Sequence, residues 1–203
     1  MQMPSREEFL RGCAEFENHE RRDAMYKVAS YLIENFWGKS ADMSDALGVL
    51  LLTWNHAFYR YGMFDFNRLE DCIEDNLSEI ASFRRKGIFE LSDSSGRQVK
   101  SLFLSFLEAL QIDSGRSKGK KSPVAVAKAL HLLAPTFFPL WDQSIAEEYG
   151  CYYNKDPAEM YLEFCGKIRE FAVKAKEYTD RKDKTLVKLI DEYNYAKFTE
   201  GWI

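Results

Sequence analysis

The residues best suited to chemistry in this sequence lie between positions 114 and 150. Residues 114–122 contain no acidic residue and carry four cations, Arg116, Lys118, Lys120 and Lys121. Ser122 is a favourable N-cap and Pro123 a favourable first helical residue, so a helix is predicted to begin there. Because the free N–H groups and the positive dipole at a helix start favour anions, the loop containing Gly119 is predicted to bind phosphate.

A single carboxylate follows this predicted helix. Residues 138–142 read Phe-Pro-Leu-Trp-Asp, and a short helix is predicted from there to Gly150, with Asp142 as its N-cap. One interpretation is that Asp142 only caps the helix. The other is that a carboxylate fixed at a helix start, beside Trp141, serves as an ionised acid next to a bound ligand.

Helices are predicted to position these residues. Ser5 and Glu8 form a capping box, and apolar residues then recur at helical spacing as far as Gly38. From Ala46 to Tyr61 they cover nearly every face, which predicts a central helix surrounded by others. Further amphipathic helices are predicted at 67–80, 99–110, from 156 onward and at about 184–198. Since no alternating strand pair occurs, the fold class is predicted to be all-α.

The chain is predicted to form one domain with two closely packed helical lobes and a cleft between them. It has 203 residues, 46% of them hydrophobic, which is enough for a sizeable core. The turn-rich residues 91–96 are the predicted hinge, with an N-terminal lobe at about 1–92 and a C-terminal lobe at about 97–203.

Composition excludes several classes of protein. The net charge of −4, from 28 basic and 32 acidic residues, gives no overall attraction for a polyanion, so local basic patches must supply it. The four cysteines form no C-x-x-C pair, and neither a metal site nor a cofactor is expected. The longest apolar stretch, 46–54, is too short for a membrane span, and residues 1–11 lack the pattern of a secretory signal. A cytoplasmic protein without an evident obligate protein partner is therefore expected.

A basic, glycine-containing hairpin, an apolar helix, a Pro-rich loop and an aspartate at the next helix start together resemble the helix-hairpin-helix superfamily of DNA glycosylases. The resemblance covers about a sixth of the chain, residues 119–150. It implies an all-helical fold with a helix-hairpin-helix element. The hairpin departs from the family pattern because it lacks the apolar residue between two glycines, and Trp-Asp-Gln-Ser replaces the familiar text around the acid.

The resemblance also implies roles for individual residues. Asp142 matches the catalytic aspartate, and Lys121, 21 residues earlier, lies near the position of the family's catalytic lysine but not plainly on it, so a monofunctional glycosylase without an abasic-lyase step is expected. The DNA-binding residues would be Arg116, Lys118, Gly119, Lys120 and Ser122. In the base pocket, Asn55 would fill the gap left by the flipped base, Tyr59 and Arg60 would lie near the DNA, and Trp141 would stack on the base.

The expected function is a DNA glycosylase that flips out and excises a damaged or modified base and leaves an abasic site. If the substrate is a bulky modified base, such as the hypermodified cytosines of phage DNA, the protein would be an antiviral defence enzyme. Common lesions, such as alkylated purines, oxidised guanine or uracil, are the alternative substrates. The partner is expected to be DNA, double-stranded rather than single-stranded. Two alternatives remain: a noncatalytic helical module that binds nucleic acid, and a protein-interaction domain.

Overall fold

The computed structural model describes residues 3–203, and all of the regular secondary structure in that range is helical. The predicted all-α fold is confirmed. None of the helices in the described range is both long and apolar enough to cross a membrane. The α-helices are α1 (Arg6–His19), α2 (Ala24–Asn35), α3 (Ser40–Trp54), α4 (His56–Tyr59), α5 (Phe66–Arg84), α6 (Asp93–Ala109), α7 (Pro123–Leu133), α8 (Gln143–Glu148), α9 (Pro157–Ala175) and α10 (Leu186–Asn194).

Local capping chemistry determines where several helices begin. Ser5 caps α1 by accepting a hydrogen bond from the backbone N–H of Glu8. Ser122 and Asp142 cap α7 and α8 in the same way. Each of these side chains satisfies an N–H group that the helix itself leaves unpaired. The helix starts predicted at these three positions are confirmed.

The central helix predicted from Ala46 to Tyr61 is interrupted. Helix α3 ends at Trp54, and Asn55, with φ −111° and ψ 33°, separates it from the single turn of α4. The side-chain oxygen of Asn55 accepts a hydrogen bond from Lys128 of α7. A contact between segments distant in sequence therefore accompanies the break, and local apolar patterning does not reveal it.

The turn-rich break predicted at 91–96 is shorter than expected. Ser92 is the N-cap of α6 and accepts a hydrogen bond from the N–H of Ser95, so residues 93–96 already form the first turn of the helix. Serine and aspartate favour both turns and helix starts because their short side chains bond nearby backbone groups.

Both halves of the chain share one continuous hydrophobic core. Helix α1 packs against α10, α3 packs against α2 and α5, and α6 packs against α9. Helix α7 is surrounded by α2, α3 and α6, which explains why most of its residues are buried. Side chains from the beginning, middle and end of the chain consequently meet beside α7.

Candidate functional site

A cavity of about 410 Å³ lies among the α1–α2 connection, the end of α3, helix α7, the start of α8 and helix α10. Its volume falls within the range of about 300–1,000 Å³ that is typical of small-molecule sites. The wall contains aromatic rings from Phe16, Trp54, Trp141 and Tyr195 together with both acidic and basic side chains. This combination can hold a flat ring and also orient it through polar contacts.

Asp142 lies on the wall of this cavity, and both of its carboxylate oxygens are held in place. Oδ1 accepts a 2.8 Å hydrogen bond from the N–H of Ile145, and Oδ2 accepts a 2.6 Å hydrogen bond from the hydroxyl of Thr199. The first contact caps α8, and the second ties the carboxylate to the segment that follows α10. Asp142 is therefore both an N-cap and a fixed polar group beside an open volume.

Trp141 supplies part of the apolar wall. It is 1% exposed and packs against the rings of Phe103, Tyr153, Tyr161 and Phe164. Its indole N–H is buried and has no hydrogen-bond partner among residues 3–203. Buried donors are normally satisfied, so an acceptor from water or from a ligand would complete this environment.

Lys128 is a functional candidate that the sequence interpretation missed. It lies on the same cavity wall, and its ammonium donates to the backbone oxygen of Trp54 at 3.2 Å and to Oδ1 of Asn55 at 2.7 Å. The nitrogen also lies 4.5 Å from the centroid of the Trp54 ring, a distance typical of a cation–π contact. Burial lowers the pKa of Lys128 to about 8, although the carboxylates of Asp191 and Asp142 partly oppose that shift.

The sequence does mark Lys128 as an unusual residue. Helix α7 reads Pro-Val-Ala-Val-Ala-Lys-Ala-Leu-His-Leu-Leu, so Lys128 is the single formally charged residue in an otherwise apolar helix. A charge in a helix that is apolar on every face must be desolvated or aimed into a cavity. His131 of the same helix is fully buried, and burial lowers its pKa to about 3. It bonds the backbone oxygen of Phe138, as expected for a structural histidine.

The cavity lining also includes a charge cluster centred on Lys188 of α10. Lys188 is only 2% exposed, and its ammonium lies 3.4 Å from Asp23, 3.3 Å from Asp191 and 3.5 Å from Glu192. These carboxylates raise the pKa of Lys188 despite its burial. Burial raises the pKa of Asp191 to about 6, because its desolvation outweighs the attraction of Lys188. Lys128 and Lys188, which both line the cavity, thus have pKa values shifted in opposite directions.

The mouth of the cavity is formed by residues 20–25, which connect α1 to α2. Glu20, Arg22, Ala24 and Met25 are the exposed members of the lining, whereas its other residues are buried or half-buried. Asp23 in the same segment has a left-handed backbone with φ 38°. A ligand entering the cavity therefore passes this segment.

The basic loop forms a closed hairpin, residues 110–122, between α6 and α7. The N–H of Ile112 donates to the oxygen of Lys120 at 2.9 Å, and the N–H of Gly119 donates back to Ile112 at 2.7 Å. The hairpin also packs closely on the loop before α5. A Cβ added to Gly115 would lie 2.3 Å from the backbone oxygen of Tyr61, and one added to Gly62 would lie 2.1 Å from that of Ser114.

The structure divides the predicted site residues into two groups. Trp141 and Asp142 line the cavity, and Asn55 is hydrogen-bonded to Lys128, which also lines it. The hairpin residues and Arg60 belong to a separate surface. Arg60 and the hairpin residues Arg116, Lys118, Gly119 and Lys120 are exposed. The close contact between residues 62 and 115 brings Arg60 and the hairpin into one basic area.

Four predicted residues are engaged in internal contacts. Lys121 pairs with Glu108 and does not line the cavity. Ser122 is buried as the cap of α7, and Tyr59 is buried with its hydroxyl donating to Leu110. The side chain of Asn55 is occupied by Lys128, so entry of Asn55 into a DNA gap would require that hydrogen bond to break.

No known protein family, curated protein or solved structure matches the chain. In the part of the chain that the structure describes, no group of three or more histidine, cysteine, aspartate or glutamate side chains is arranged to hold a metal ion. The arguments for function consequently rest on the cavity and on the basic surface.

Proposed function

We propose that the protein is a DNA glycosylase that hydrolyses the N-glycosidic bond of a flipped-out base. The observation that carries the proposal is the position of Asp142, whose carboxylate is fixed by two hydrogen bonds on the wall of a cavity lined by two tryptophans. An anion that is already oriented stabilises a developing positive charge without reorganisation during the reaction.

The proposed reaction follows from the needs of the bond that breaks. A base inside a duplex is inaccessible, so it must rotate out of the helix at a cost of a few kcal/mol. As the C1′–N bond breaks, the sugar acquires positive charge, which the carboxylate of Asp142 would stabilise. Asp142 would also orient the water that adds to C1′, as a carboxylate does in glycoside hydrolysis.

The hairpin would hold the DNA backbone. Lys118 and Lys120 are exposed near the start of α7, and they form no ion pair within residues 3–203. Arg60 and Arg116 extend this positive area. Because the whole chain carries a net charge of −4, binding would depend on this local patch and weaken as salt concentration rises.

The size of the cavity supports a base larger than an ordinary one. A volume of about 410 Å³ lies within the range of about 300–1,000 Å³ for sites that hold whole small molecules, which leaves room beyond an unmodified pyrimidine ring. Charged groups such as Asp23 and Asp191 could bond polar substituents on the base. A hypermodified cytosine of phage DNA fits these properties, and a role in antiviral defence would follow.

The test compares two substitutions at helix N-caps. Asp142→Asn keeps an oxygen that can accept from Ile145 but removes the charge, and Asp156→Asn makes the same change at the start of α9. The wild type and both variants are incubated with genomic DNAs that carry different base modifications, and the abasic sites formed are counted. We expect release by the wild type and by Asp156→Asn, with at least a hundredfold loss in Asp142→Asn.

The alternatives give different results in the same assay. A noncatalytic nucleic-acid-binding module would bind DNA and release no base from any substrate. A protein-interaction domain would show no DNA binding that depends on Lys118 and Lys120. Release that is unchanged in Asp142→Asn would exclude Asp142 as the catalytic group.

A further inference from the structure

Lys128 occupies a position that the reaction proposed above does not yet use. Lys128 lines the same cavity as Asp142, and two acceptors, Trp54 O and Asn55 Oδ1, hold its ammonium in place. A lysine ammonium has three N–H donors. In the described part of the chain no third acceptor is bonded to it, so one N–H remains available to a ligand in the cavity.

The surroundings of Lys128 favour the protonated amine while keeping its proton labile. The two oxygens and the face of the Trp54 ring stabilise the cation. Burial acts in the other direction and lowers the pKa to about 8. At pH 7 the ammonium therefore outnumbers the amine by about ten to one, yet the group is a much stronger acid than an exposed lysine. A pKa near the working pH is the optimum for proton transfer.

We infer that Lys128 is the general acid that protonates the departing base, an assignment that rests on the proposed glycosylase function. The C1′–N bond breaks and its electron pair passes to the base, which receives a proton from Nζ of Lys128 on a nitrogen or oxygen atom. Water adds to C1′ and gives its proton to the carboxylate of Asp142, from which it passes to solvent. Lys128 regains a proton from solvent, so the sum is hydrolysis.

A nucleophilic role for the same lysine would require the opposite protonation state. Attack on C1′ needs the lone pair of the neutral amine, which is the minor form at pH 7, and the contacts with Trp54 and Asn55 stabilise the cation instead. The two roles leave different products. Attack by the amine produces a covalent intermediate that borohydride traps, whereas proton donation does not.

Two substitutions separate acid catalysis from simple electrostatics. Lys128→Gln removes both the charge and the proton, whereas Lys128→Arg retains the charge in a group that does not give up its proton near neutral pH. We expect both variants to release base about 10² to 10⁴ times more slowly than the wild type. DNA binding should be unchanged. Restoration of the rate by arginine would overturn the assignment and indicate an electrostatic role.

The pH dependence provides a second readout. The other ionisable groups around the cavity include Glu20, Arg22, Asp23, Asp142, Lys188, Asp191 and Tyr195. The pKa of Asp191 is about 6, the three carboxylates raise the pKa of Lys188 despite its burial, and burial raises the pKa of Tyr195, so none of these three groups accounts for a fall near pH 8. The single-turnover rate of the wild type should therefore fall above about pH 8. That fall should be absent in Lys128→Gln.

The substrates are phage genomic DNA that contains hypermodified cytosine and the other genomic DNAs used in the Asp142 test. Lys174→Gln, which removes the charge of an exposed lysine away from the cavity, is the control. A covalent adduct dependent on Lys128, or an alkaline fall that persists in Lys128→Gln, would overturn the assignment but leave the glycosylase proposal intact. Failure of the wild type to release base from every DNA would overturn both. Independently of activity, NMR of ¹³C-lysine-labelled protein should show a Lys128 midpoint near pH 8, and a midpoint above about pH 10 would rule out the acid role.

Discussion

The hydroxyl of Thr199 donates a 2.6 Å hydrogen bond to Oδ2 of Asp142, across 57 residues of sequence. Asp142 is thereby held from two directions, because its other oxygen accepts from the backbone at the start of α8. The orientation of the carboxylate in the cavity depends on both contacts.

Thr199→Val should weaken this arrangement while keeping the volume of the side chain. A hydrogen bond to a charged group contributes about 1.5–3 kcal/mol, and we expect a loss near the lower limit because Asp142 is half-buried and water can replace the hydroxyl. Base release should fall about tenfold or more. Urea unfolding and the abasic-site assay measure the two effects.

Thr136→Val is the matched control for that substitution. Its hydroxyl donates to the backbone oxygen of Lys86, and Thr136 does not line the cavity. We expect a modest loss of stability with base release unchanged. Equal losses of release in the two variants would mean that the orientation of Asp142 has no special importance.

Lys128 and Lys188 should respond to substitution with opposite signs. Lys128→Met should raise the free energy of unfolding at pH 7 by about 1–2 kcal/mol, because the gain from removing a lysine whose pKa is lowered to about 8 exceeds the loss of its hydrogen bonds to Trp54 and Asn55. Between about pH 8 and pH 10.5 the unfolded chain binds a proton that the folded chain lacks, so the wild type gains stability as pH rises. The advantage of Lys128→Met should disappear over the same interval.

Lys188→Met should instead destabilise the protein by about 3–5 kcal/mol at pH 7, since it leaves Asp191 buried without its cation and removes the partner of Asp23, whereas Glu192 keeps its pair with Lys184. Denaturant unfolding at pH 7, 8, 9 and 10 distinguishes the two variants. A loss of stability in both at pH 7 would contradict the lowered pKa of Lys128.

Removal of the exposed hairpin lysines should weaken DNA binding without affecting the fold. The double variant Lys118→Ala/Lys120→Ala should reduce the slope of log K against log salt by about two, because each phosphate contact releases about one counterion. Lys174→Ala/Lys182→Ala removes the same charge from exposed positions elsewhere. Fluorescence anisotropy at several salt concentrations provides the comparison. Identical slopes for both double variants would argue against the hairpin as the DNA-binding surface.

The contact between the hairpin and the loop before α5 can be tested with glycine substitutions. Gly62→Ala should cost about 1–3 kcal/mol, because its Cβ would collide with the backbone oxygen of Ser114. Gly166→Ala in α9 meets no atom and should stabilise the helix by about 0.5–1 kcal/mol. Thermal unfolding of both proteins checks the opposite signs, and a neutral Gly62→Ala would show that the two loops separate easily.

The sequence predicts those features that depend on local chemistry. Ser122, Pro123 and Asp142 were each identifiable as helix starts, because capping requires only a short polar side chain and an N–H group two or three residues away. The all-α class follows from the helical spacing of apolar residues, which is also a local property of the sequence. The proximity of Trp141 to the cavity also follows from its position beside Asp142.

Features that depend on contacts between distant segments could not be predicted in this way. The hydrogen bond from Lys128 to Asn55 joins residues 73 positions apart and accompanies the end of α3, and nothing in the local pattern marks it. The ion pair of Lys121 with Glu108 and the burial of Tyr59 are likewise tertiary facts. A single sequence indicates which residues are unusual, but packing determines which of them meet.

The close approach of Gly62 and Gly115 to the opposing backbones has a practical consequence for protein engineering. The frame of the hairpin consists of main-chain atoms, including the mutual hydrogen bonds of Ile112 with Gly119 and Lys120. Arg116 and Lys118 are exposed on that frame, and new sequences could be grafted at these positions while the interior is left untouched. Variation of the sequence at the tip of the hairpin would change the binding specificity of the protein without any redesign of the cavity.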